Sequence, residues 1–357
     1  MSKQTTPEIN LIDVLASYLP VLVAQRIANA PTFLTTPLCE SLPAAVLFAD
    51  ISGFTTLTER LAEDGPAGAE NLTQHLNAYF SRLIDLITSY GGDVVKFAGD
   101  ALIALFPGAD SGPVSLRRAT LQAAQCGLEA RQQLNNYRLG ESLSLSLKLA
   151  IGAGEVQMMH LGGVFDRWEF LVSGEPISQV GEVGKELRSG EIVLSPEAWA
   201  LIEDAAEIVA EEQPSTGPTI RLRKLNQVPS PNPLTPPRLP ETAVAALRAY
   251  IPGAILDRLA AQQTGWMAEL RRVSIIFANL PDLTYKMPLE QAQEVMRALQ
   301  AAVYRYEGSL NKLSVDDKGV TLVAAMGLPP LAHEDDAERA VKAALAIRKL
   351  LAHQQYR

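Results

Sequence analysis

The apolar run Ala44-Ala45-Val46-Leu47-Phe48-Ala49 is too short for a helix and predicts a buried strand that delivers Asp50 at its tip. A second cluster, Gly91 to Phe106, predicts two strands with Ala98-Gly99-Asp100 at the turn between them. Between the clusters, Leu72, Leu76, Phe80, Leu83 and Ile87 recur at three and four, which predicts an amphipathic helix opened near Pro66 and stopped at Gly91. A shorter helix is expected from Ser52 or Thr55 to Leu61, broken by Glu63-Asp64-Gly65-Pro66. Leu11 to Ala30 predicts a helix or helix pair interrupted near Pro20, and Pro31 to Pro43 a connector. Ala119, Ala123, Cys126, Ala130 and Leu134 share one helical face, which makes Cys126 a core residue rather than a reactive thiol. Leu143 to Ile151 alternates as a strand, with Gly152-Ala153-Gly154 read as its end. Phe170 to Ser173 and Glu191 to Leu194 are short strands, and Ile220 to Leu225, with its charges outward, is expected at an edge. This order implies an α+β fold: a mixed sheet with helices packed on it.

The stretch Pro229 to Pro240 is half proline and predicts a semi-rigid linker. Beyond it the first half of the chain returns. Ser17-Tyr18-Leu19-Pro20 is echoed by Ala249-Tyr250-Ile251-Pro252, and Val273 to Asn279 repeats Ala44 to Asp50. Gly92-Asp93-Val94-Val95-Lys96 returns as Gly308-Ser309-Leu310-Asn311-Lys312, and the face of Ala340, Ala344, Ile347 and Leu351 repeats that of Ala119 to Ala130. The counterparts of Leu143 to Leu225 do not follow, so the second unit is expected to be half a domain. The expected boundaries are 1–40 for an N-terminal helical segment, 41–226 for the first unit, 227–245 for the linker and 246–357 for the partial second unit.

Composition narrows the partners. The 357 residues carry a net charge of −9, which argues against a nucleic-acid footprint or an anionic membrane surface. Two cysteines are too few for a disulfide framework, the start has no signal layout, and no apolar run approaches ~18 residues, so a cytoplasmic location is expected. The four histidines show no metal-ligand spacing, and His75 is read as a solvated helix residue.

If the strands ending at Asp50 and beginning after Asp100 are neighbours, two carboxylates share one end of a sheet. Such a pair suits a hard cation such as magnesium together with substrate phosphates. The plainer reading makes Asp50 a helix cap and Asp100 a turn residue.

The linked segments FADISGFTTLTE, SYGGDVVKFAGDALIALF and GVFDRWEFLVSG resemble the class III nucleotidyl cyclases, specifically the tandem soluble adenylyl cyclase type. The resemblance implies a ferredoxin-like βαββαβ core followed by an incomplete second copy. It also implies conversion of ATP to 3′,5′-cyclic AMP and pyrophosphate. Asp50 and Asp100, with the Ile51 carbonyl, would hold two Mg2+ ions, for which Mn2+ can substitute. Ser52, Gly53, Phe54 and Thr55 would meet the nucleotide phosphates, and Lys312 of the second unit would read the purine.

Asn279 replaces the first aspartate in the second unit, where Asp316 or Asp317 stands near the other position. The family Asn and Arg that follow the Gly163 to Phe170 motif fall on Ser178 and Glu182. Lys96 matches a lysine of the anion-responsive relatives. The matching arginine falls on Gly181, which leaves Lys96 and nearby Arg167 as a candidate regulatory anion site. Gly91-Gly92-Asp93 is similar to the hairpin of diguanylate cyclases, but Val94-Val95 breaks that pattern. Implied partners are ATP and either the second unit of the same chain or a protein supplying the missing half. The rival reading is a catalytically silent nucleotide-binding module. With Ser178 and Glu182 in place of the Asn and Arg, residues 1–357 are expected to make little cyclic AMP. Mass-spectrometric detection with Mg2+ or Mn2+, against a chain extended by the missing half-domain, checks this; equal turnover would contradict it.

Overall fold

The structure is a computed structural model and describes residues 10–53, 57, 65–110, 112–139, 144–209, 220–260, 272–280, 286–316 and 319–354. The expected helix through Leu61 falls outside these residues except for Leu57. Helices α1 (Leu11–Ala16) and α2 (Val21–Asn29) open the chain and divide at Pro20. Asn10 caps α1, its side chain accepting from the Ile12 amide at 3.1 Å. Pro20 has no such oxygen for α2. The free amides of Val21 and Leu22 donate instead to the Asp93 carboxylate, at 3.0 and 2.8 Å.

The first unit continues with β1 (Leu38–Ser52), α3 (Gly65–Ser89), β2 (Asp93–Ala98), β3 (Ala101–Pro107), α4 (Pro113–Leu134) and β4 (Tyr137–Arg138). It then runs through β5 (Ser144–Val164), β6 (Arg167–Ser173), α5 (Glu175–Gly184), β7 (Ile192–Leu194), α6 (Pro196–Ile202), β8 (Ala206–Ile208) and β9 (Ile220–Leu225). The sheet order is β2-β3-β1-β5-β7-β9-β8, with β6 hairpinned onto the far end of β5. The β5–β7 pair is parallel and the rest antiparallel, so the sheet is mixed as expected. On one face Leu47, Ile51, Leu83, Ile87, Phe106 and Cys126 pack beneath α3 and α4. On the other, Val46, Leu105, Val156, Ile177 and Val180 pack beneath α5.

Three expectations about the strands are corrected. The connector ends at Leu38, because Pro43 lies within β1. Its ring nitrogen and carbonyl point toward the β3 side, where β3 stops opposite Ala44, so no ladder bond is lost. Gly152-Ala153-Gly154 sits inside β5 rather than at its end. A Cβ at Gly152 would lie 2.7 Å from the Pro176 carbonyl, so the glycine lets α5 close on the sheet without interrupting the strand. And β9 is not an edge: it pairs with β7 on one side and β8 on the other. Its outward charges are used there, Arg221 pairing with Glu191 at 3.1 Å and Lys224 with Glu207 at 2.9 Å.

The proline-rich stretch is extended, and it is strapped down rather than free. The Asn232 and Leu234 amides donate to the Ser89 and Thr88 carbonyls at 3.0 and 3.1 Å, satisfying groups that the end of α3 leaves open.

The second unit begins with α7 (Val244–Arg248) and α8 (Gly253–Ala260). These repeat α1 and α2, and the two pairs pack on each other through Ile12, Leu15, Val23, Ile27, Ala246, Leu247 and Ile251. The unit continues with β10 (Ser274–Leu280), α9 (Leu289–Tyr304), β11 (Ser309–Asp316), β12 (Gly319–Met326) and α10 (Asp336–Gln354). Its sheet has the order β10-β12-β11, reproducing β1-β3-β2. The repetition extends to an irregularity: the ladder slips between Val94 and Lys96, and again between Leu310 and Lys312. Met159, Leu161 and Leu171 of the β5–β6 hairpin join Met296, Leu299, Val303 and Leu322 in one core. The first unit therefore completes the core of the second. Among the described residues the outer edge of β10 has no strand partner, and Ile275 and Phe277 are exposed there.

Asp93 is buried, and that burial pushes its carboxyl up to about 6, while the two α2 amides pull it down. A carboxyl whose folded value exceeds its unfolded value of 3.8 adds stability that is fully present below 3.8 and lost as pH rises through 6. Asp93→Asn should flatten this dependence, which amounts to at most about 1.4 kcal/mol per pH unit. Near neutral pH, where the buried carboxylate is ionised, the uncharged amide should be no less stable than the aspartate. Thermal melts of both proteins from pH 4 to pH 8 check both effects.

Candidate active site

Pairing of β1 with β3 sets Asp50 opposite Ala101, and the Ile51 amide donates to the Asp100 carbonyl at 3.2 Å. Gly99, at φ +72°, makes the turn that brings Asp100 alongside. The two aspartates therefore share one end of the sheet. On its other side β1 pairs with β5, which sets Lys148 opposite Asp50, with Nζ 3.4 Å from Oδ2. Asp50 and Lys148 are both about a quarter exposed, at 27% and 29%, so the pair is open to solvent. Lys148 was not singled out from the sequence. A lysine in an alternating strand gives no sign of its function until the register names its neighbour.

Gly53 turns the chain out of β1 at φ +96°, and a Cβ there would sit 2.8 Å from the Ser144 carbonyl. Only glycine fits. Its carbonyl accepts from the Leu57 amide at 3.1 Å, closing one turn above the aspartates. The Ser52 hydroxyl is buried beside them without a hydrogen-bond partner. Phe54 and Thr55 lie outside the described residues.

Lys312 comes from β11 of the second unit and is half-buried. Burial lowers its pKa, and the charge of Asp100 opposes that shift, so the two lie within electrostatic reach of each other across the boundary. Among the described residues the second unit offers no equivalent pair. Asn279 pairs with Thr321 as Asp50 pairs with Ala101, which puts Val320 in the place of Asp100. Asp316 ends β11 and Asp317 lies outside the described residues.

Lys96 and Arg167 are brought together, but around a carboxylate of the protein itself. Glu169 is largely buried and lies 3.5 Å from the Arg167 Nε. Burial raises its pKa, against the pull of Arg167, Gln300 and Lys96. Arg167 also donates to the Ala249 carbonyl at 3.0 Å. The pair expected to receive an external anion thus already holds an internal one. Lys96 and Glu169 border a cavity of about 750 Å3 that runs between α1, β2, β6 and β11 and reaches Lys312. Asp93, similar in sequence to a diguanylate cyclase acid, caps α2 from the wall of this cavity. His160 is a packed neutral side chain, with Nδ1 2.8 Å from the Tyr250 hydroxyl and a pKa pushed to about 3 by burial and Arg26. Ser178 and Glu182 lie on α5.

Two carboxylates, a backbone carbonyl, a glycine turn and lysines from both units make a cleft suited to a cation and a polyanionic ligand. Among the described residues no helix is long and apolar enough to cross a membrane. Residues 40–214 match the adenylate and guanylate cyclase catalytic domain. Adenylate cyclase type 10 of Rattus norvegicus is 28% identical over 346 residues, covering 87% of this chain and 21% of that protein. The protein of the same name from Homo sapiens is 27% identical over 352 residues with the same coverage. The chain thus spans about one fifth of the length of these relatives. Among solved structures, the adenylyl cyclase CyaB from P. aeruginosa is 23% identical, covering 52% of this chain and 94% of that one at a TM-score of 0.42. Residues 40–214 of this chain are thus a class III nucleotidyl cyclase domain.

Proposed function

We propose that the cleft binds ATP and converts it to 3′,5′-cyclic AMP and pyrophosphate. The observation that carries this reading is the convergence of Asp50, Asp100 and Lys148 from the first unit on the face that Lys312 approaches from the second. Asp50, Asp100 and the Ile51 carbonyl fit a site for two Mg2+ or Mn2+ ions, and the unpartnered Ser52 hydroxyl beside them fits a site built for a further ligand. When bound, such ions neutralise phosphate charge and make the ribose 3′-hydroxyl a better nucleophile.

The chain's own groups do the rest. Lys148 balances Asp50 in the absence of a cation and is placed to turn to a phosphate oxygen when one binds. The turn at Gly53 brings backbone toward the phosphates without a side chain in the way. Lys312 donates to the purine, its charge supported by Asp100. In the Lys96–Glu169–Arg167 group Glu169 and the Ala249 carbonyl already engage Arg167, so the group serves as a structural link between the units rather than as an open anion site.

Turnover by residues 1–357 is expected to be low. Ser178 and Glu182 occupy the positions where the resemblance expects an Asn and an Arg, and an arginine on a transferring phosphoryl group is worth about 10³ to 10⁵ in rate. Arg167 cannot replace it while bound to Glu169 and the Ala249 carbonyl. The same two residues favour, as a second reading, a module that binds nucleotide without cyclising it.

Asp50→Ala and Asp100→Ala should each abolish Mn2+ binding at this site, followed by electron paramagnetic resonance, together with any cyclic AMP formation. Asn279→Ala should leave both unchanged. Retention of Mn2+ affinity by either aspartate variant would refute the metal assignment. Lys148→Met should weaken Mn2+–ATP binding by roughly tenfold, consistent with one charge-assisted contact of 1.5–3 kcal/mol, without loss of Mn2+ binding. Calorimetric titration checks it. Nucleotide binding without cyclic AMP would select the second reading.

A further inference from the structure

Helix α9 carries two buried glutamines, Gln293 and Gln300, two turns apart on one face. Gln300 is fully buried, and a buried amide needs partners on both its oxygen and its nitrogen. Both glutamines find them on the backbone of the β5–β6 hairpin. Gln293 accepts from the Gly162 amide at 2.7 Å and donates to the Gly162 carbonyl at 2.8 Å. Gln300 accepts from the Val164 amide at 3.2 Å and donates to the Arg167 carbonyl at 3.0 Å.

These backbone groups lie where β5 runs beyond its last β1 partner, His160 opposite Leu38, and where the β5–β6 ladder slips between Gly162 and Val164. The two side chains take over where the ladder fails. The approach is close enough to exclude a side chain: a Cβ on Gly162 would lie 2.6 Å from both Gln300 amide atoms.

The first unit has no such helix face. The Gly92 amide donates to the Ile87 carbonyl as the Gly308 amide donates to that of Val303, which aligns α3 with α9 residue for residue. Counted back from these matched pairs, Ile84 stands where Gln300 does, and Asn77 where Gln293 does. Isoleucine has neither donor nor acceptor, and asparagine is one methylene short.

We propose that Gln293 and Gln300 decide the partner of the β5–β6 hairpin: they commit it to a second unit and exclude pairing between two first units. Against α3 the hairpin would bury the Val164 amide and Arg167 carbonyl unsatisfied, which forbids that alternative. This pairing rule is independent of what the cleft binds, so its test reads no activity.

The test is residue-resolved hydrogen exchange on the whole chain, with two volume-conserving variants, Gln293→Met and Gln300→Met. The Gly162 and Val164 amides should exchange at least about tenfold faster, each having lost one buried hydrogen bond, while β3 amides keep their rates. Unchanged rates at 162 and 164 would overturn the proposal. Gln293→Glu separates hydrogen bonding from packing. Its protonated carboxyl both donates and accepts like the amide, so protection should return at acid pH and vanish when the group ionises. Protection of the Gly162 amide that follows wild type at every pH would equally overturn it. Exchanging the residues between the units (Asn77→Gln, Ile84→Gln, Gln293→Asn and Gln300→Ile together) should create concentration-dependent self-association in sedimentation velocity. An oligomeric state identical to wild type would refute partner choice, and should this variant not fold, the Gln293→Glu profile decides.

Discussion

Strand β1 is hydrogen-bonded to β5 along its whole length and to β3 from Ala44 to Asp50, and this double pairing fixes the first unit's charged groups at the candidate site. It sets Asp50 opposite Ala101 on one side and Lys148 on the other. The alternation of β1 holds that register. Ala45, Leu47, Ala49 and Ile51 face α3 and α4, while Ala44 and Val46 face α5. Asp50 continues this second face past the end of the apolar run. A slip by one residue would exchange the two faces, expose both cores and turn the carboxylate away from the cleft. The large apolar side chains under α3 and α4 are therefore what keep a charged group in place at the strand's tip.

The residues that could be read from the sequence are those whose signals are local. A short apolar run ending in Asp50, a turn holding Asp100 and the three-four spacing of Leu76 to Ile87 all report on themselves. The residues that escaped depend on register or on distant partners. Lys148 matters only because β5 sets it beside Asp50. Asp93 looked like a hairpin acid, yet its work is to cap a helix some seventy residues earlier in the chain. The length of β5 was hidden by glycines that usually end strands, because the need for them lies in α5, which packs where their side chains would be. Glu169 drew no notice as one charge in a strand, and only the fold shows it buried between Arg167 and Lys96.

Duplication gave the two units the same scaffold down to the slip in the β2–β3 and β11–β12 ladders. Divergence then set them apart at the positions that carry charge and hydrogen bonds. Asn279 for Asp50 removes a carboxylate from one unit, and Ile84 against Gln300 removes a hydrogen-bonding amide from the other. The backbone tolerates both because neither changes a core volume greatly. Two copies of one fold have thus become unlike halves: one presents carboxylates, the other a lysine and a pair of glutamines.

The packing of α1 and α2 against α7 and α8 bears on how the chain is made. Ile12, Leu15, Val23 and Ile27 leave the ribosome early, and the residues that cover them, Ala246, Leu247 and Ile251, emerge only after the entire first sheet. Until then an apolar face of the nascent chain has no native neighbour, and its closure is among the longest-range events in the molecule. Such contacts form slowly and leave sticky surface open in the interval. The docked helix pairs therefore tie an earlier segment of the chain to a much later one, and α1 and α2 reach their final place only when the second copy has begun to appear.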